Sequence, residues 1–178
     1  MLSYKKENLF GKNKVINNQQ SAYSNYFIKK ILKDTNSIAI VGLSEKPNRP
    51  SYFAAKYLQN KGYKIIPVNP ITKNKTILNE KVHKYLADIE QIPDMIDLFI
   101  KQDKIRSFVD EAIKIRPKTI WLQLGLIDYV GEKKASDIGI NFIMNKCPKI
   151  EFARLSGELG WAGINSNLIS NQKILLKK

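Results

Sequence analysis

Short apolar runs alternate with amphipathic stretches through the middle of this chain. The segment "SIAIVGL", residues 37–43, is β-branched, apolar and bounded by polar residues, the pattern of a strand buried on both faces. The segments "YKIIPV" (63–68), "MIDLFI" (95–100), "TIWLQLG" (119–125) and "NFIMN" (141–145) repeat it. Between them lie helical patterns. "PSYFAAKYLQNK" (50–61) carries Pro50 in its first turn, where a missing N–H costs nothing, and Gly62 follows as a C-cap. In "KQDKIRSFVDEAIKI" (101–115), Ile105, Phe108, Val109, Ala112 and Ile113 form the i, i+3, i+4 stripe of an amphipathic helix. "VGEKKASDIG" (130–139) reads as a short helix ending at Gly139. "YSNYFIKKILKD" (23–34) reads as a helix before the first strand, with Tyr23, Phe27 and Ile31, or Tyr26 and Lys30, at helical spacing. Residues 71–89 read as a variable loop, and "KCPKIEFARL" (146–155) opens a tail.

Strands alternating with helices predict an α/β fold: a Rossmann-like, doubly wound parallel sheet of about five strands in a single domain, with right-handed crossovers. The domain is expected over residues 22–155. A basic, flexible N-terminal arm (1–21) precedes it, and a C-terminal tail (156–178) either packs back or mediates self-association or contact with a protein partner. Ligands of such folds bind outside the carboxyl ends of the strands. The segments to inspect are therefore "GLSEKPNRP", "VNP", "IKQDK", "QLG" and "NKCPK".

Composition narrows the classes. The 178 residues carry thirty basic and sixteen acidic side chains, a formal charge of +14 that attracts polyanions. The lysines are scattered, however, with no basic block interleaved with aromatics and no zinc-finger spacing, so a dedicated nucleic-acid role is disfavoured. No apolar run approaches the about 20 residues of a membrane span, and the N-terminus lacks an apolar signal core. A single cysteine, Cys147, excludes an internal disulfide, and a cytoplasmic location is expected.

The loop after the first strand holds the first candidate chemistry. Gly42 permits a tight turn or a close approach, Ser44 offers a hydroxyl, Lys46 and Arg49 are cations, and a helix N-terminus follows. Together these suit a phosphate or pyrophosphate. The dinucleotide pattern Gly-x-Gly-x-x-Gly is incomplete, because Ser44 and Pro47 stand where glycines would be. The end of the second strand also lacks the acidic residue that binds a ribose 2′-hydroxyl, offering Asn69, Pro70 and then Lys73 and Lys75. Cations there favour an additional phosphate, as in NADP or in coenzyme A with its 3′-phosphate. The residues alone leave an NADP-linked oxidoreductase, a CoA-binding protein and a basic interaction module open.

The segments "SIAIVGLSEKPNRPSYFAAKYLQNKGYKIIPVNP", "EKVHKYLADI", "WLQLG" and "NFIMNKCPKIEFARL" resemble, in order and spacing, the small stand-alone CoA-binding proteins. These are relatives of the CoA-binding domain in the α subunit of succinyl-CoA synthetase. The resemblance implies a fold that binds coenzyme A or an acyl-CoA, with no catalytic centre evident. It implies that Ser44, Glu45, Lys46 and Pro47 contact the CoA phosphates and that Arg49 and Ser51 belong to the element that follows. Val68, Asn69 and Pro70 match the segment near the adenosine, with Lys73 or Lys75 as cations. Ile100, Lys101 and Gln102 match the third-strand end that flanks the nucleotide. Lys101 stands where such proteins commonly carry arginine, and keeps the charge without the planar fork.

Three further residues carry expectations. His83, the only histidine, is expected to be structural or at the surface. Cys147 lies between Lys146 and Lys149, which would favour a thiolate, although a small buried side chain is the preferred reading. Trp121 and Gln123 fall on one strand face and are expected to divide between packing and the site.

Overall fold

The computed structural model describes residues 23–157. The expected arm at 1–21, and the tail beyond Gly157, lie outside the described residues. Five parallel strands form one sheet in the order β2-β1-β5-β6-β7: β1 Ser37–Val41, β2 Lys64–Val68, β5 Met95–Leu98, β6 Thr119–Leu122 and β7 Asn141–Ile143. The strands stop short of the apolar runs that predict them. Left-handed backbone at Gly42, Gly125 and Asn145 turns the chain out of the sheet (φ 79°, 80° and 54°).

Each strand exposes one row of apolar side chains to each helical layer. Ile38, Ile40, Ile65, Met95, Trp121 and Ile143 face α1 (Asn25–Asp34), α2 (Pro50–Asn60) and α5 (Pro148–Leu155). Ala39, Val41, Ile66, Ile96, Leu98 and Ile120 face α3 (Ile105–Ile115) and α4 (Tyr129–Asp137). This is the doubly wound α/β domain the alternation predicts. In α1 the buried positions are Ile28, Ile31 and Leu32, while Tyr26 is exposed. Ser24 caps this helix by accepting the Phe27 N–H at 3.1 Å. No helix among the described residues is long and apolar enough to cross a membrane.

Two elements were not anticipated. The segment read as a tail opening forms α5, with Cys147 as N-cap and Pro148 in the first turn. Its Phe152 is wholly buried and meets Tyr57 and Tyr63 edge-on at 6.1 and 5.9 Å. The loop at 71–89 contains a small hairpin, β3 (Thr76–Ile77) and β4 (Glu80–Lys81), whose turn residues Leu78 and Asn79 both have positive φ. Beyond it His83 pairs with the outer edge of β2, its N–H donating to the Pro67 carbonyl at 2.9 Å and its carbonyl accepting the Asn69 N–H at 2.9 Å. That is a structural role, as expected.

At the amino end of the sheet, Asp94 gathers three strand starts. Its carboxylate accepts the N–H groups of Asn36 and Ser37 (2.7 and 3.1 Å) and pairs with Lys118 (2.7 Å), while its carbonyl accepts the Thr119 N–H (3.0 Å). At the carboxyl end the packing is tighter. A Cβ on Gly42 would sit 2.3 Å from the backbone carbonyl oxygen of Phe99, which follows β5. Gly42→Ala therefore adds a backbone collision to the conformational cost of a left-handed residue. Gly139→Ala shares the positive φ but meets nothing within 4 Å. Urea denaturation should show about 1–2 kcal/mol lost for Gly139→Ala and clearly more for Gly42→Ala. Equal losses would dismiss the Phe99 contact.

Candidate functional site

The chain runs from β1 outward to β2, then crosses back over β1 to β5. The strand order thus reverses between the carboxyl ends of β1 and β5, where a doubly wound sheet opens a crevice. A cavity of about 1310 Å³ lies there, larger than the about 300–1,000 Å³ of ordinary small-molecule sites. Its lining reaches from Asn69, past β2, to Cys147, past β7.

On the β1 side the wall is Gly42, Ser44, Arg49 and Ser51. The turn is held by its own polar atoms: the Ser44 N–H donates to the Ser51 hydroxyl at 3.1 Å, and the Lys46 N–H donates to the Ser44 hydroxyl at 3.2 Å. Arg49 is the backbone N-cap of α2 and its side chain caps nothing, so the guanidinium is left to face the cavity at a helix N-terminus. Lys46 and Pro47 are exposed and do not line the cavity.

Past β2, Asn69 and Pro70 line the cavity and Val68 lies buried behind them. Asn69 works as a loop staple. Its amide donates to the Leu43 carbonyl at 2.8 Å, and its side-chain oxygen accepts the N–H groups of Ile71 and Thr72 at 2.8 and 3.3 Å. Glu45 does not line the cavity and accepts the Thr72 hydroxyl, tying the two loops together. Lys73 and Lys75 are exposed and lie outside the cavity wall.

Past β5, Ile100 and Lys101 line the cavity. Gln102 spends its whole amide on the next loop, donating to the Ile127 carbonyl at 2.8 Å and accepting the Ile127 N–H at 3.0 Å. Lys104, which the sequence reading did not single out, and Lys149, read there only as a neighbour of Cys147, also line the cavity. With Arg49 and Lys101 they make four cations among the described residues, none of whose carboxylates lines the same wall.

Past β6 and β7 the floor holds Gln123 and Cys147. Trp121 and Gln123 do share a face and do divide as expected: Trp121 is fully buried and donates to the Lys146 carbonyl at 2.7 Å, while Gln123 reaches the cavity. Beneath Gln123 lies Asp97, fully buried, whose two oxygens accept from the Gln123 amide at 2.6 and 2.9 Å. Burial pushes its carboxyl up to about 8, against the smaller pull of the Gln123 hydrogen bond. Cys147 is buried, the preferred reading of the sequence, and the adjacent cations do not activate it. Burial, helped by nearby Asp97, raises the thiol above its ordinary value, outweighing Lys149 and the N–H groups of Ile150 and Lys149. Lys146 is engaged with Glu151 at 3.3 Å. Among the described residues, no group of three or more His, Cys, Asp or Glu is placed to hold a metal ion.

Residues 36–153, from the turn before β1 into α5, match the model of the CoA binding domain family. This chain belongs to that family. The YneT protein of Bacillus subtilis (strain 168) is 32% identical over 126 residues, 71% of this chain and 92% of its own. A hypothetical protein from Pyrococcus horikoshii OT3 is 34% identical, covering 74% of this chain and 92% of that one, with a TM-score of 0.68. A structure from Thermus thermophilus is 27% identical over 74% of this chain and 98% of its own, with a TM-score of 0.70.

In this CoA binding domain, Asp97 had a visible signal: an acid inside the apolar run "MIDLF". Its elevated carboxyl has a consequence for stability. Below the unfolded value of 3.8 both states hold the proton. As pH rises from there toward about 8, the unfolded chain releases a proton that the folded chain keeps, so stability is lost across that window. The urea midpoint of the native domain should fall across it relative to Asp97→Asn, which keeps an acceptor for Gln123 and cannot titrate. Parallel pH curves for the two proteins would remove Asp97 as the source.

Proposed function

We propose that this domain binds coenzyme A, free or as an acyl thioester, across the cavity at the strand-order reversal. The observation that carries the reading is the charge of the wall: Arg49, Lys101, Lys104 and Lys149, with no opposing carboxylate among the described residues. Coenzyme A presents a pyrophosphate and a 3′-phosphate, and a cation-lined cleft beside a helix N-terminus favours such groups. In this reading Gly42, Ser44, Arg49 and Ser51 receive the pyrophosphate, with Glu45, Lys46 and Pro47 shaping the turn around it. Val68, Asn69, Pro70 and Ile100 flank the adenosine. Lys101 serves the 3′-phosphate directly, Lys73 and Lys75 add field from outside the wall, and Gln102 fixes the flanking loop. Kinship with the synthetase α subunit is part of the same reading. The family match supports the ligand class, and the cavity supports where it sits.

Titration calorimetry with CoA, dephospho-CoA, NAD and NADP tests this. CoA should bind tightest, and Arg49→Ala should weaken it by about tenfold or more, as for loss of a charged hydrogen bond. Equal affinity for CoA and dephospho-CoA would remove the 3′-phosphate contacts. Binding of NADP without CoA would overturn the proposal.

A further inference from the structure

The cations do not account for the whole cavity. Its β6–β7 end is walled by Leu124 after β6 and Ile150 of α5, and Phe53 lines the cavity from α2, the helix that packs on α5. These large apolar side chains are 59%, 43% and 55% exposed, and all three border the cavity that the cations border. Helix geometry explains their grouping. Tyr57 of α2 packs on Phe152 of α5 at 6.1 Å, and Phe53 lies one turn above Tyr57 on the same helix face. Ile150 lies in the first turn of α5, so the two helix N-termini place Phe53 and Ile150 at the cavity mouth.

Gln123, Cys147 and Lys149 are the polar groups of this end among the described residues. Lys149 is drawn over the Tyr57 ring, 5.8 Å from its centroid. Asp97 lies beneath the floor and is occupied with Gln123. Apolar surface continuous with a phosphate-binding wall fits a ligand that is anionic at one end and aliphatic at the other. β7 is three strand spacings from β1, roughly 14 Å at about 4.8 Å each, so the arm of CoA runs along the strand ends toward this apolar end.

Building on the CoA reading, we propose that the β6–β7 end takes the acyl chain of an acyl-CoA, and that the preferred ligand is an aliphatic thioester rather than free CoA. Phe53, Leu124 and Ile150 select it, and an aliphatic chain is preferred over a dicarboxylic acyl group of the same length.

Calorimetry on the full chain with CoA and with acetyl-, butanoyl-, hexanoyl-, octanoyl- and succinyl-CoA tests this. Each added methylene should tighten binding by about two- to fourfold until the groove is filled, and butanoyl-CoA should bind more tightly than succinyl-CoA. Leu124→Ser and Ile150→Ser, both at exposed positions, should flatten the chain-length dependence while leaving free CoA within about twofold. Binding of CoA without chain-length dependence, or a preference for succinyl-CoA, would overturn this inference and leave the CoA reading standing. Absence of binding to every CoA species would overturn both. Loss of self-association in the two variants by sedimentation velocity, with unchanged acyl dependence, would assign the surface to a second copy of the chain and overturn the inference.

Discussion

The contact between Gly42 and the Phe99 carbonyl governs the carboxyl end of the sheet. Gly42 donates its N–H to Val68 of β2 at 2.8 Å, and Phe99 donates to Val41 of β1 at 2.9 Å. The ends of β2, β1 and β5 are thereby locked at one level, with no space for a side chain between Gly42 and Phe99. The β1–α2 turn can then leave the sheet at a fixed angle, held by Ser44, Ser51, Asn69 and the Glu45–Thr72 link. The glycine that resembles the remnant of a dinucleotide fingerprint is thus required by protein backbone, whatever the cavity holds.

Around that lock, the polar residues of the strand ends divide into two kinds. Asn69, Ser51, Glu45 and Gln102 spend their polar atoms on neighbouring loops. Arg49, Lys101, Lys104 and Lys149 line the cavity with their charge. A rigid frame of stapled loops carrying flexible cations suits an anionic ligand, since the staples fix the cleft and long side chains adapt to the phosphates.

The alternation of apolar runs with helical stripes made the parallel sheet, its strand count and most helices legible. What escaped had local causes. The β3–β4 hairpin is two residues per strand, and its Leu78–Asn79 turn lacks the glycine that signals such turns. Helix α5 is short, and its stability comes from Phe152 meeting residues far away in the chain, which no local pattern displays. Lys149, read as a neighbour of Cys147, was for the same reason not seen as part of the cavity wall. Lys104 closes a 3₁₀ turn, Gln102–Lys104, just before α3, where its sequence position looked like an ordinary solvated face. Cys147 is the small buried side chain the sequence reading preferred, and its burial outweighs neighbouring Lys149.

Pro67 belongs to β2, an edge strand, and its place there has a further effect. Its carbonyl faces outward and is taken by His83, and a proline has no N–H to offer on that side. The outer rim of β2 consequently lacks the free donor–acceptor ladder that recruits strands from other molecules. At the opposite rim β7 is only three residues long. Intermolecular sheet extension, the usual hazard of an open parallel sheet, finds a blocked rim on one side and a very short one on the other.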